Sequence, residues 1–327
     1  MKTNPITISL AICSLVAGLF SCDNTENPVI PSPDATALKN FVSLNINQRT
    51  QNFAVDAATG GQIKGNDGTI IKFYPNGFMT LSGEAVSGSV DIELIEIFDR
   101  ASMLLVEKPT VGKMGNGDLA TLISGGEFYV NATQGGLQLK PANGYTITAP
   151  TNKTGGPNMN MNLFNGVEVC ENDICKNVWE EQNDRKIEVG EFQSTGGIYS
   201  AYYAFQNKFG WTNIDRWYND PRTKTTLFVD VPEGFNNSNC ALYMTYDGEK
   251  TALARFDKYD ETTGLFTEHY GLIPVGLNVH FILVSIVDDE IHYAIQSATI
   301  KQNHVEVIDT VESITQEELV ALIGNLP

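Results

Sequence analysis

The chain is broken by turn signals at short intervals. Gly-Gly pairs begin at Gly60, Gly125, Gly135, Gly155 and Gly196, and Asn66–Gly68, Pro75–Gly77 and Asp247–Gly248 add further tight-turn dipeptides. Glycine admits positive φ and proline removes a backbone donor, so segments bounded this often rarely hold long helices. Between the breaks lie short runs rich in β-branched and aromatic residues: Thr69–Tyr74, Gly88–Phe98, Gly126–Thr133, Leu137–Lys140 and Tyr145–Pro150. Within the second run, Val90, Ile92, Leu94 and Glu96 share one strand face, and Asp91, Glu93, Ile95 and Ile97 the other. That is a period of two with one wet face. Many short strands at close spacing imply an all-β fold built as an antiparallel sandwich or barrel.

A second set of strands follows at Lys224–Pro232, Asn239–Asp247, Ala252–Asp260 and Val305–Asp309, with a strong hairpin over Asn278–Lys301 turning at Val287–Glu290. The stretch between the two sets opens with an Asn-, Gly- and Pro-rich run, Thr151–Gly166, which reads as a loop. The expected organisation is therefore two antiparallel β-sandwiches in tandem, over 39–150 and 224–327, separated by a loop-rich joint over 151–223. The 327 residues suffice for two such cores. Near the C-terminus, Thr315 and Glu318 form a capping box ahead of the stripe Leu319, Leu322 and Ile323, which predicts a short terminal helix.

The N-terminus reads as an export signal. Lys2 precedes the apolar run Ile6–Phe20, which is shorter than the ~20 residues of a comfortable membrane span. It ends in Leu19–Cys22, "LFSC", which resembles a bacterial lipobox. The resemblance implies removal of residues 1–21 and acylation of Cys22, and the stretch over 22–38, with Pro28, Pro31 and Pro33 and no periodicity, reads as a flexible tether. The formal charge of −18 argues against a nucleic-acid partner, because phosphate binding needs clustered Lys and Arg.

The build of Phe53–Phe78, with "IKGNDGTII" and a "YPNGF" corner, continues into a long acidic strand, a Met103–Leu105 segment, "SGGEFYVNA" over Ser124–Ala132, and "LQLK". Over roughly residues 52–150 this resembles the β-sandwich domain of netrin receptors and ankyrins. It is closer still to the version in Bacteroidetes outer-membrane lipoproteins, which also carry a later segment like "GWTNIDR". The resemblance implies a β-sandwich and a lipid-anchored, outer-membrane location, to which the acidic Asp23 and Glu26 add cell-surface exposure. It implies no catalytic residue. Some eukaryotic relatives cleave themselves at a His-Phe-Ser step; here the corresponding triplet is His280, Phe281 and Ile282, without the nucleophile.

In an exported protein, Cys170 and Cys175 read as a disulfide across a turn, and Cys240 as a small buried apolar side chain. His269, His280, His292 and His304 lie about one strand apart and show no short metal-ligand spacing, and there is no G-x-S-x-G elbow. No metal or cofactor is expected. Thr310, in Asp309–Val311, fits the short O-glycosylation signal of Bacteroidetes.

The densest chemistry lies in "GWTNIDRWYND", Gly210–Asp220. Trp211, Trp217 and Tyr218 could stack on a sugar, Asp215 and Asp220 could serve as acid and base, or the segment could simply fill a domain joint. The structural reading stands first, since large aromatics are more often buried than displayed, with glycan stacking second and catalysis third. The functional expectation is a non-catalytic, lipid-anchored envelope protein that binds or scaffolds. The alternative is a glycan-binding protein or carbohydrate-active enzyme component using the Trp211/Trp217 segment. The partner would be a surface polysaccharide or another envelope protein.

Overall fold

A computed structural model describes residues 32–171, 174–194 and 197–327. The export signal and Cys22 lie outside the described residues. Among the described residues, no helix is long and apolar enough to cross a membrane, which says nothing of a β-barrel.

Over the described residues the fold is all-β with three α-helices, one of them near the C-terminus. Helix α1 (Ala35–Arg49) comes first. The expected tether to residue 38 therefore ends earlier: the Asp34 side chain caps the helix by accepting from the N–H groups of Thr36 and Ala37. Periodicity missed this helix because its packing is uneven, with Leu38 and Asn45 buried and Phe41 and Ile46 only partly covered.

The first sandwich follows: β1 (Gln51–Asp56), β2 (Gly61–Lys64), β3 (Ile70–Phe73), β4 (Phe78–Thr80), β5 (Ser89–Ile97), β6 (Val111–Lys113), β7 (Leu119–Gln134), β8 (Leu137–Pro141), β9 (Tyr145–Pro150), β10 (Asn162–Glu171), β11 (Ile174–Lys186), β12 (Glu188–Ser194), β13 (Gly197–Gln206) and β14 (Gly210–Trp217), with α2 (Arg100–Leu105) after β5. One sheet runs β1-β5-β7-β14-β10-β11-β6, with β8 and β4 attached, and the other β12-β13-β9-β3-β2. Their facing sides meet in one core, where Ile92, Phe128 and Ile214 of the large sheet pack with Ile71, Ile147 and Tyr202 of the small one.

This topology corrects the expected joint over 151–223. Strands β10, β11 and β14 belong to the large sheet, and β12 and β13 to the small one. A 3-10 turn (Thr151–Thr154), the run up to residue 161 and the connections at 207–209 and 218–223 remain loop-like. A two-residue period was not visible there because β14 is covered on both faces: Thr212 to Asp215 are buried without alternation. Such a strand reads as continuous burial rather than as in-out patterning.

The second sandwich comprises β15 (Lys224–Asp230), β16 (Cys240–Tyr246), β17 (Glu249–Arg255), β18 (Lys258–Asp260), β19 (Leu265–Pro274), β20 (Asn278–Val287), β21 (Glu290–Thr299), β22 (His304–Val307) and β23 (Glu312–Ile314), then α3 (Gln316–Asn325). Its sheets run β18-β19-β15-β22 and β17-β16-β20-β21-β23. The β20–β21 hairpin turns on Asp288 and Asp289, both at positive φ, the conformation that suits the right-handed twist of paired strands. The α3 capping box is present as read from sequence.

The two sandwiches do not hang as separate beads. A third core lies between them, formed by Ile95 and Ile97 of β5, Met103 and Leu104 of α2, Tyr243 of β16 and Ile282 of β20, and it also buries Leu319 and Ile323 of α3. Everything from residue 32 onward is accordingly one compact unit. Strand β16 is buried at every position because both of its faces are covered. A single guanidinium pins the edge of this core: Arg100, 2% exposed, donates to the carbonyls of Ile323, Leu326 and Pro327.

Candidate functional site: a closed strand ring and the cleft beside it

Strand β7 has sixteen residues and changes neighbour along its length. Its C-terminal half pairs with β5 and its N-terminal end with β6, while β14 lies along its other edge. Strand β6 also pairs, in parallel, with β11 through Trp179 and Gly112. Since β14 pairs with β10 and β10 with β11, the strands β7, β14, β10, β11 and β6 close into a ring. Strands β7, β10, β11 and β14 supply its filling. Leu122, Phe164 and Trp179 are fully buried, and Trp211 and Trp217 pack on them.

Both tryptophans of the Gly210–Asp220 segment are thereby accounted for. The Trp217 ring lies edge-on to Phe164 at 5.6 Å and its indole N–H donates to Glu181 at 2.9 Å. Gly112 leaves the room: a Cβ there would stand 2.8 Å from the Trp217 ring and 2.9 Å from Leu122. The Trp211 ring lies 5.3 Å from that of Tyr129, with the Lys108 ammonium 5.1 Å from its centre. Trp217→Ala should therefore cost about 3 kcal/mol, as loss of a packed tryptophan does. Denaturant unfolding measures it, and an unchanged midpoint would mean that the ring contents contribute nothing.

The inner face of the ring also carries charge. Asn213 and Asp215 occupy alternate positions between the tryptophans on β14, and Glu127 lies opposite Asn213 on β7. All three are fully buried. The Asn213 amide donates to Asp215 Oδ2 at 2.7 Å and to Glu127 Oε1 at 3.3 Å, while its own oxygen accepts from Ser124 at 2.9 Å. Asp215 Oδ1 and Glu127 Oε2 have no hydrogen-bond partner among the described residues. Burial drives both carboxyls well above their ordinary range, and the Asp215 charge adds to the effect at Glu127. Sequence reasoning named Asp215 but missed Glu127; its signal was a charge in the otherwise apolar run of "SGGEFYV".

Tyr218, the third aromatic, leaves the ring and enters an open cleft. Two adjoining cavities of about 690 and 250 Å³ run between the outer side of the ring and the second sandwich, sharing Val111, Leu119, Arg255, Asp257 and Tyr270. The larger is also lined by Lys176, Asn177, Asn236, Asn237 and Tyr259. The smaller is lined by Tyr218, Tyr246, Phe256 and Glu268. Tyr218 sets its ring against Tyr246 at 4.7 Å and donates to Asp220. Asp220 is clamped by the Arg222 guanidinium, which holds its carboxyl below the usual carboxylate range. Burial brings the Lys176 ammonium down to about 8 and the Glu268 carboxyl up to about 7.

The remaining sequence candidates lie apart from the cleft. Cys170 is disulfide-bonded, and Cys175 is its direct partner in the β10–β11 register. Cys240 is a buried free thiol. Thr310 is exposed between β22 and β23. His280 pairs with Asp247 at 2.9 Å and His304 with Glu306 at 2.7 Å. Among the described residues, no group of three or more His, Cys, Asp or Glu is placed to hold a metal. Compared with known protein families and with curated proteins, the chain matches none.

Proposed function

We propose that this chain is a non-catalytic, lipid-anchored protein of the cell envelope, of the outer membrane and exposed at the surface, which binds its partner in the cleft between its two sandwiches. The observation carrying this reading is the cleft itself: a continuous opening, lined by Tyr218, Tyr259 and Tyr270 and by ions from both sandwiches. Half-buried aromatics beside polar groups are the usual make-up of a binding pocket. Binding fits the segment's carboxylates better than acid–base chemistry does. Asp215 is buried in the ring and lines neither cavity, and Asp220 is held by Arg222.

The test of the cleft is amide hydrogen exchange in the presence of fractionated envelope polysaccharide and envelope protein. Protection of β18, β19 and the 218–222 segment, lost in a Tyr259→Ala/Tyr270→Ala double variant of unchanged melting temperature, is expected. Protection elsewhere only would overturn it. The anchor is tested separately: Cys22→Ser should move the protein from the membrane to the soluble fraction, and unchanged fractionation would overturn lipidation.

Glycan capture is the second reading. It is favoured by the larger cavity, where Tyr259 and Tyr270 stand with Asn177, Asn236 and Asn237, side chains that stack on and hydrogen-bond to sugar rings. On this reading polysaccharide retention depends on Tyr218, Tyr259 and Tyr270, and on Trp211 and Trp217 only through stability.

A further inference from the structure

We propose that the smaller cavity of the cleft receives an organic ammonium group, held over the rings of Tyr218, Tyr246, Phe256 and Tyr270 with Glu268 as its counter-ion. The proposal rests on the reading that the cleft is the binding site, and it assigns the chemical class of what enters there.

Four aromatic side chains line a space of about 250 Å³. That exceeds the ~150 Å³ in which a buried apolar cavity already accepts benzene. An alkylammonium head fits such a volume, and aromatic faces attract cations through the ring quadrupole, most strongly where water is excluded. An aromatic box alone would equally take a neutral apolar group. The carboxylate decides for charge.

Glu268 lies in the wall of the box and accepts from the backbone N–H groups of Gly271 and Leu272 at 3.1 and 3.4 Å. No cationic side chain among the described residues reaches it. The basic residues facing the cavity are already matched: Arg255 of β17 is bound to Glu107, and Lys224 of β15 sits 3.7 Å from Asp220. Asp220 is further engaged by Arg222 from its own segment. Asp257, between β17 and β18, accepts from Tyr270 at 3.2 Å and adds negative charge close to Glu268. The wall therefore holds an acid without a cation, half-desolvated and beside a second acid, and burial accordingly raises its carboxyl to about 7. An ammonium group arriving over the rings would supply the missing charge and return that carboxyl to its ionised form.

The experiment is calorimetric titration of the full chain with choline and with its neutral isostere 3,3-dimethylbutan-1-ol. N-acetyl-lysine amide is a second arm, to distinguish a small quaternary ammonium from a lysine side chain as the source of the group. Choline or the lysine amide should bind at least tenfold tighter than the neutral isostere. The affinity should rise between pH 6 and 8, as Glu268 ionises, and then level off. Glu268→Gln keeps the volume and the acceptor oxygen, so its melting temperature should be nearly unchanged while the preference and the pH dependence disappear. Tyr270→Leu should weaken the charged ligand more than the neutral one. Equal affinity for charged and neutral isosteres, or a preference that survives Glu268→Gln, overturns the proposal. If no ammonium binds while hydrogen exchange still shows envelope fractions protecting the cleft, the ammonium assignment fails and the cleft reading stands.

Discussion

Arg100→Met should lower the melting temperature by about 10 °C and release α3. The guanidinium is buried and donates to three carbonyls at and beyond the end of that helix, of Ile323, Leu326 and Pro327. Helix C-termini leave carbonyls without intrahelical partners, and each buried acceptor left unsatisfied costs about 1–3 kcal/mol. Of the three acceptors only that of Ile323 belongs to a buried residue, while Leu326 is half-buried and Pro327 exposed, so a loss of about 3 kcal/mol is expected, and each kcal/mol shifts the midpoint by about 2–4 °C in a chain approaching this size. Arg100→Lys should recover little, because an ammonium cannot reproduce the planar fork that spans several acceptors. Thermal melting gives the magnitude and hydrogen exchange gives the place, with faster exchange in α3, where Leu319 and Ile323 enter the third core. Equal melting of wild type and Arg100→Met would show that the clamp is dispensable.

The second large effect is one of pH. Burial raises the carboxyls of Glu127 and Asp215 in the folded chain. Between the unfolded carboxylate range near 4 and these raised values, the folded state holds more protons than the unfolded state. Stability is then highest at low pH in this window and falls as pH rises through it, by up to about 1.4 kcal/mol per pH unit for each extra proton held. This is opposite in sign to the salt-bridged carboxylates that dominate ordinary acid denaturation. Asp215→Asn, neutral and of the same shape, should flatten the fall and make the variant more stable than wild type at pH 8. At pH 4 the two should be close. Urea unfolding at pH 4, 6 and 8 measures this, and parallel curves for the two proteins would mean that Asp215 carries no folding-linked proton. Glu127→Gln should act in the same direction. The two effects should not add, since the groups share the Asn213 amide.

The strands and their turns were legible in the chain because each depends on a few neighbouring residues. The period of two holds over Ser89–Glu93 and the hairpin turns at Asp288–Asp289, as the residues indicated, but from Leu94 to Ile97 β5 is buried on both faces because the third core covers Ile95 and Ile97. The boundaries of the first sandwich were not. Strands β10 to β14 are five of its fourteen, yet they read as a joint: alternation is lost in β14, where both faces are covered, while β12, the end of β10 and the start of β13 bury too little for one face to stand out. Helix α1 was lost for the opposite reason, as it buries too little for its stripe to stand out. The cleft could not have been found by motif, since Tyr218 follows β14, Arg255 ends β17, and Glu268 and Tyr270 lie on β19.

For the segment Gly210–Asp220, residue types alone established that something large, flat and charged had to be placed or buried there. They could not say which. That was decided by the closure of β6 on both β7 and β11, which turns an open sheet face into a filled ring, encloses Trp217 and Asp215, and leaves Tyr218 outside in the cleft. Strand periodicity is a local property, set by a few dihedral angles and side-chain volumes. Which face of a strand ends in water depends on pairings between residues some seventy positions apart, Gly112 with Trp179 among them, and only the folded chain brings these together.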